Sequence, residues 1–234
     1  MLVVADGMGG HAGGAMAAEQ VVATARQVFS AYSPKSDSAE EVLRNIVNEA
    51  HTVIKLTSFT SEADPHSTFV GLIMHADRAC WAHCGDSRLY HFRAGQLARR
   101  SVDHSYIEYL IKQGYAKEEE RKTHPKRNLL MTSLGGDTQP EITYGESAPL
   151  ENNDVFLLCS DGLWAYFKDA EMAKLVTEYD PKRAAEFFID LGRARARGGG
   201  DNLSLAMVRV TVVEKKPEPK FAPIIPRRTP GASS

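Results

Sequence analysis

The chain opens on an apolar run, Met1 to Ala5, that stops at Asp6, the pattern of a strand running into a loop. A glycine-rich turn follows, and from about Gly14 to Tyr32 the residues Ala18, Val21, Val22, Ala25, Val28 and Phe29 recur at helical spacing. Small residues on that face suit close packing on a sheet. Ser38 with Glu41 three residues on is a capping box, and it announces a second helix carried on by Leu43, Ile46, Ala50, Val53 and Ile54.

From Thr68 the texture changes to short apolar and alternating segments, Phe69 to His75, Ala79 to Cys84, Leu89 to Phe92 and Leu97 to Arg100. Breaks at Ala76-Asp77-Arg78, Gly85-Asp86 and Ala94-Gly95 fall where hairpin turns belong, which predicts an antiparallel meander. A helical piece around Tyr106 to Gln113 and a polar stretch from Ala116 to Arg127 interrupt it; such an insertion beside a site is a candidate lid. Strand-like segments resume at Ile142 to Tyr144 and Val155 to Cys159. Asp169 and Asp180-Pro181 then read as caps of two more helices, the second ending at Gly198-Gly199-Gly200, and Leu203 to Val213 forms a last strand. Strands and helices come in separate runs, so the predicted class is α+β.

A chain of 234 residues, 43% hydrophobic, can fill one sizeable domain, placed here at 1–213. Residues 214–234 hold prolines and charges with little to form a core and read as a disordered Pro-rich tail. A net charge of −2 gives no basic footprint for nucleic acid or an anionic membrane, and no apolar run approaches the roughly 20 residues of a span. With no signal-peptide pattern, the expected location is cytoplasmic. Cys80, Cys84 and Cys159 are odd in number and sit in or beside apolar stretches, which suits reduced core thiols.

The candidate chemistry lies in four acidic punctuations at strand ends: Asp6-Gly7, Gly85-Asp86, Asp161-Gly162 and Asp201-Asn202. Each alone is an ordinary turn dipeptide. Together they could bring four carboxylates to one edge of a sheet, where they repel unless a cation lies between them. A glycine after Asp6 and after Asp161 lets a backbone carbonyl approach an ion that a bulkier residue would obstruct. Oxygen-only ligation suits Mg²⁺ or Mn²⁺, and two such ions can activate one water for in-line attack on phosphorus. Nucleotide binding by the glycines of Gly7 to Gly14 fits less well, because no Lys-Ser/Thr follows them and strands do not alternate with helices.

The series VVADGMGGH at Val3 to His11, GDSRLY at Gly85 to Tyr90, DHS at Asp103 to Ser105, HPKRNLL at His124 to Leu130, LLCSDGLW at Leu157 to Trp164 and DNLSL at Asp201 to Leu205 resembles the metal-dependent type 2C (PPM) serine/threonine protein phosphatases, in particular their bacterial branch. The likeness spans about Met1 to Val213 in the family's order and spacing. It implies a central antiparallel β-sandwich flanked by helix pairs, in α-β-β-α layers. It implies that Asp6 bridges two Mg²⁺ or Mn²⁺ ions, that the Gly7 carbonyl binds one, that Asp161 and Asp201 complete the pair, and that Asp86 with Asp161 holds a third, weaker ion. A metal-activated water would then attack phosphoserine or phosphothreonine directly, with no nucleophilic cysteine. His124 and Arg127 match the family's flap, where they would touch the phosphopeptide or its phosphate; a solvated loop is the competing reading for His124. His11 could donate a proton near the leaving oxygen or pack at the helix N-terminus. Met8 stands where animal members carry a histidine, so no acid role transfers to it. Arg88, Asp103 and His104 are read as internal bracing.

The family begins with two further strands that carry a phosphate-binding arginine and an acidic pair, so the sandwich is expected to be N-terminally incomplete, with an unpaired sheet edge. The expected function is dephosphorylation of proteins, opposing a Ser/Thr kinase. The alternative is a catalytically impaired, phosphatase-like module that binds phosphoproteins.

Overall fold

The structure, a computed structural model, describes residues 1–59 and 63–211. The predicted tail at 214–234 lies outside the described residues, as do the last two residues of the final predicted strand. Ten strands and six α-helices are described: β1 Leu2–Val4, β2 Gly7–Met8, α1 His11–Ser30, α2 Ala39–Ser58, β3 His66–Ser67, β4 Phe69–His75, β5 Arg78–Cys84, β6 Arg88–Arg93, β7 Gln96–Arg100, α3 Tyr106–Lys112, β8 Thr143–Ser147, β9 Val155–Cys159, α4 Asp161–Trp164, α5 Asp169–Glu178, α6 Pro181–Ala196 and β10 Leu205–Arg209. A 3-10 helix, Glu118–Lys122, lies in the polar stretch after α3.

Two four-stranded antiparallel sheets, ordered β1-β4-β5-β8 and β10-β9-β6-β7, make the centre. The sequence places three apolar layers around them. Strand β9 shows why its five residues are all apolar: Val155, Leu157 and Cys159 face the helices, while Phe156 and Leu158 face the other sheet. Both faces are dry, so no position can be polar. Between the sheets Phe156 meets Trp81, Leu72 and Leu89. Outside the first sheet, Phe69 and Ile73 of β4 pack under Val21 and Ala25 of α1 and Leu43, Ile46 and Ala50 of α2. Outside the second, Tyr90 and Phe92 of β6 pack under Met172 and Val176 of α5 and Phe188 of α6. Each fully buried large side chain removes apolar area worth about 1.5–3 kcal/mol. The α+β class and the α-β-β-α layering are therefore present.

The predicted meander is divided. Strands β4 and β5 form a hairpin in the first sheet, whereas β6 and β7 form one in the second, with β6 also paired to β9. Gly85 and Asp86 thus lie where the chain changes sheets, not in a hairpin turn. Two caps differ as well. Ser38 is the N-cap of α2 but its side chain makes no capping bond, and α5 is capped at Lys168, with Asp169 already its first residue. Asp180 caps α6 as predicted, accepting from the Arg183 N–H, with Pro181 in the first turn. All three cysteines are free thiols. Among the described residues no helix is long and apolar enough to cross a membrane.

Candidate metal centre

The loop after β1 is fixed by the turn between β3 and β4. The Asp6 N–H donates to Thr68 Oγ1 (3.0 Å), the Thr68 N–H donates to the Asp6 carbonyl (2.8 Å), and Thr68 Oγ1 lies 2.7 Å from Ser87 Oγ. One threonine hydroxyl thereby ties the Asp6 backbone to the residue after Asp86. The next residue has no room for a side chain, because a Cβ on Gly7 would sit 1.8 Å from the Gly14 carbonyl oxygen. The first turn of α1 can close over the loop only if position 7 is glycine.

A second pair of loops meets the first. Asp161 is the first residue of α4, directly after β9, and Asp201 lies four residues before β10, the neighbour of β9. Ser160 clamps the two: its Oγ donates to the Asn202 carbonyl (3.2 Å) and accepts from the Ser204 N–H (3.3 Å). Here too glycine is required, since a Cβ on Gly162 would lie 2.3 Å from the Asn202 carbonyl oxygen.

These supports bring the carboxyls of Asp6 and Asp161 close enough to perturb each other's protonation. Burial, then the charge of Asp161, pushes the Asp6 carboxyl up to about 7. Burial also raises Asp161, with Asp201 adding to the rise, while its hydrogen bond with Asp6 opposes it. Asp86 is pushed up to about 8, by burial first and then by Asp161, Asp103 and Asp6. Oδ1 of Asp161 is buried without a hydrogen-bond partner among the described residues. A concentration of acids that cannot ionise comfortably, one with an orphaned oxygen, fits a hard cation that would satisfy both charge and lone pairs.

The donor set is not drawn into a closed cage: no three His, Cys, Asp or Glu side chains among the described residues are gathered as a ligand cluster. Asp201 sits exposed at the rim, its carboxylate accepting from the Asn202 N–H (2.7 Å). Asp6, Gly7 and Asp201 line a cleft of about 860 Å³ between the start of α1 and the end of α6. Arg193 of α6 lines the same cleft. The sequence reading missed it, because one arginine on a polar helix face carries no distinguishing pattern.

Behind Asp86 stands a buried brace. Arg88 makes a two-pronged bond to Asp103 (2.7 and 2.7 Å), its Nη1 donates to the Tyr90 hydroxyl (3.1 Å), and its guanidinium lies 3.5 Å from the centre of the Trp164 ring. The Trp164 indole donates to the Asp86 carbonyl (2.9 Å). Trp164 ends α4, the helix that Asp161 begins. His104 also serves as a brace: its Nδ1 accepts from the Gly85 N–H (3.3 Å), and its ring stacks on His83.

His124 and Arg127 are placed elsewhere. His124 Nδ1 accepts from the Lys126 N–H (3.1 Å) and its ring approaches Tyr106; Arg127 is exposed; neither lines the cleft of Asp6 and Asp201. His11 is the first residue of α1, and its side chain lies outside what the structure describes. Buried Cys84, pushed up to about 12 by its burial, and Cys159, raised for the same reason, are held as neutral thiols.

A family model for protein phosphatase 2C matches residues 1–197. The chain belongs to the protein phosphatase 2C family. Among relatives of this phosphatase-family chain, the serine/threonine phosphatase stp of Listeria welshimeri is 32% identical, over 92% of this chain and 86% of that protein. The structure of the S. agalactiae serine/threonine phosphatase matches with a TM-score of 0.79 at 30% identity, over 88% of this chain and 85% of that one. The catalytic domain of the serine/threonine protein phosphatase PstP, solved in complex with two manganese ions, matches with a TM-score of 0.77 at 26% identity, over 90% and 87% of the two chains.

Proposed function

We propose that the chain hydrolyses phosphoserine and phosphothreonine on proteins in a metal-dependent reaction, opposing a Ser/Thr kinase in a signalling circuit. The observation that carries this reading is the pair of half-buried carboxyls Asp6 and Asp161, Asp6 lining an open cleft and Asp161 Oδ1 buried without a hydrogen-bond partner among the described residues. Asp6, the Gly7 carbonyl, Asp161 and Asp201 would hold two Mg²⁺ or Mn²⁺ ions, and Asp86 would contribute to a third. Such ions, when bound, lower the pKa of water and offset charge on a phosphoryl group.

The chain's own residues do the rest. Asp6 and Asp161, when ionised, would offer anionic oxygens to a cation. Thr68 and Ser160 fix the loops so that those oxygens do not reorganise during the reaction. Arg193 supplies the cleft with a cation that can pair with a phosphoryl oxygen. His124 and Arg127, on the polar segment after α3, would contact the phosphopeptide; that neither lines the cleft of Asp6 and Asp201 supports a contact with the peptide more than with its phosphate. His11, at the head of α1, stands beside the glycine turn as a candidate proton donor.

Hydrolysis of para-nitrophenyl phosphate and of a phosphothreonine peptide, each with Mn²⁺, Mg²⁺ or EDTA, tests the reading. Turnover with either metal that EDTA abolishes is expected. A folded, Mn²⁺-binding protein that turns over neither substrate would overturn it in favour of a phosphoprotein-binding module.

A further inference from the structure

The polar segment after α3 carries Lys117, Arg121, Lys122, Lys126 and Arg127, and four of these five cations are exposed. Arg121 differs. Its side chain is only 12% exposed and is ringed by carboxylates: its Nε and Nη2 make a fork to Glu118 (2.7 and 2.9 Å), and its Nη1 forms ion pairs with Glu108 of α3 (2.6 Å) and Asp103 (3.9 Å). A cation with three acidic neighbours is not free to bind phosphate. It is built to hold something in place.

What it holds follows from the contacts beyond it. Asp103 is the carboxylate that grips Arg88, Arg88 lies on Trp164, and Trp164 donates to the carbonyl of Asp86. Next to Arg121, Lys122 Nζ donates to the carbonyl of Ala165 (3.4 Å), the cap of α4, the helix that begins with Asp161. Two adjacent residues of one 3-10 helix thus touch the supports of two candidate metal ligands, one through a buried ion network and one through a helix end.

We propose that Arg121 is a positioning residue that latches the 3-10 helix Glu118–Lys122 to the Asp103–Arg88–Trp164 brace, and so sets how the exposed cations of that segment meet a phosphoprotein relative to the acidic centre. The proposal rests on the phosphatase reading for its consequence and on the ion network for its geometry. A small aryl phosphate needs only the cleft. A phosphopeptide also needs the segment held at the correct distance, so the latch acts on the larger substrate.

The test compares the full chain with Arg121→Ala and Arg121→Lys at saturating Mn²⁺. For Arg121→Ala, kcat/KM on a phosphothreonine peptide is expected to fall about tenfold, mostly through KM, a coupling of the size found within one salt-bridge network. Turnover of para-nitrophenyl phosphate is expected to stay within about twofold, and Arg121→Lys, which keeps the charge but loses the fork to Glu118, to restore part of the loss. Amide hydrogen exchange gives a readout independent of activity. Exchange is expected to quicken both at 117–130 and at 161–165 in Arg121→Ala, and should it quicken at neither or only at 117–130, the latch does not exist. Equal losses on both substrates, or none on either, also overturn the proposal. If the unaltered chain turns over neither substrate, the phosphatase reading fails while hydrogen exchange still decides the latch; if Arg121→Ala does not fold, Glu118→Gln, which weakens the same fork, replaces it in both assays.

Discussion

The Asp161 and Asp6 carboxyls lie near enough for the charge of Asp161 to raise the pKa of Asp6, while Asp161 Oδ1 is buried and has no hydrogen-bond partner among the described residues. Without a cation this arrangement costs stability; with one it is a ligand set. The substitution Asp161→Asn separates the two effects. It removes a buried acid whose ionised form burial disfavours, so the metal-free protein is expected to be more stable than the unaltered chain by about 1 kcal/mol near pH 8, or about 2–4 °C in Tm. The same variant is expected to lose Mn²⁺ binding and to fall by at least about 10²-fold in turnover. Thermal melts with and without Mn²⁺ check both. A variant that is stabilised by Mn²⁺ as much as the unaltered chain would show that Asp161 is not a ligand.

The brace behind Asp86 is a different kind of pair. Arg88 and Asp103 are both nearly inaccessible, and their bond is bidentate. Burial alone would lower the Arg88 pKa, but the hydrogen bonds that it donates to Asp103 outweigh it and hold the guanidinium charged. Removing one partner strands the other as a buried charge. Arg88→Met alone is expected to destabilise by about 3–5 kcal/mol, and Arg88→Met with Asp103→Leu together by clearly less than the sum of those two single changes. Urea melts of the four proteins close the cycle, and strict additivity would mean that the pair is not coupled.

His104 gives a pH dependence with a definite sign. Its Nδ1 accepts from the Gly85 N–H, so Nε2 carries the hydrogen and donates to Thr143 Oγ1 (2.9 Å), while His83 stacks on the ring at 4.6 Å. Burial, then the neighbouring His83, pushes the imidazole down to about 4. A histidine depressed in the folded state contributes stability that is complete above its unfolded value near 6.5 and is lost as pH falls toward 4. Asp6 and Asp86 act in the opposite sense while metal-free, so the comparison is made at saturating Mn²⁺. Relative to His104→Gln, the unaltered chain is expected to lose about 1–2 kcal/mol between pH 6.5 and 4, discounted for partial exposure of the ring. Parallel pH profiles for the two proteins would remove His104 as the cause.

How far the sequence discloses this arrangement depends on the length scale of each element. The long helices α1, α2 and α6 have enough turns to display their period, and β9 is legible because its five apolar residues sit between flanking turn residues. Helix α4 is not: with four residues it shows no period, and Ser160-Asp161-Gly162 reads as a turn. The change of sheet at Gly85–Asp86 is invisible for a related reason, since a hairpin and a sheet crossing share the same alternation and differ only in which neighbour accepts the hydrogen bonds. The acidic residues of the centre could be picked out because each ends or precedes an apolar run. Arg193 and Arg121 could not, because what marks them lies far from them in sequence: Arg193 lines the same cleft as Asp6, and Arg121 pairs with Asp103.

Gly162 makes the strictest demand on the centre. It follows Asp161 in α4, and the space a methyl group would occupy there is filled by the carbonyl of Asn202, with the Asp201 Cβ 3.2 Å away. Gly162→Ala cannot be relieved by rotating a side chain, since the obstacle is backbone. Either α4 shifts and moves Asp161, or the 201–202 loop shifts and moves Asp201, and both change the separation of two candidate ligands. The expected outcome is a loss of about 10–100-fold in Mn²⁺ affinity, the range seen when the supports of metal ligands are altered, with an overpacking cost of about 1–3 kcal/mol in stability. Calorimetric titration with Mn²⁺ measures the first and thermal unfolding in EDTA the second. If affinity stays within about twofold while stability falls, Gly162 serves the packing of α4 alone, and Asp201 reaches the ions from a position that does not depend on this contact.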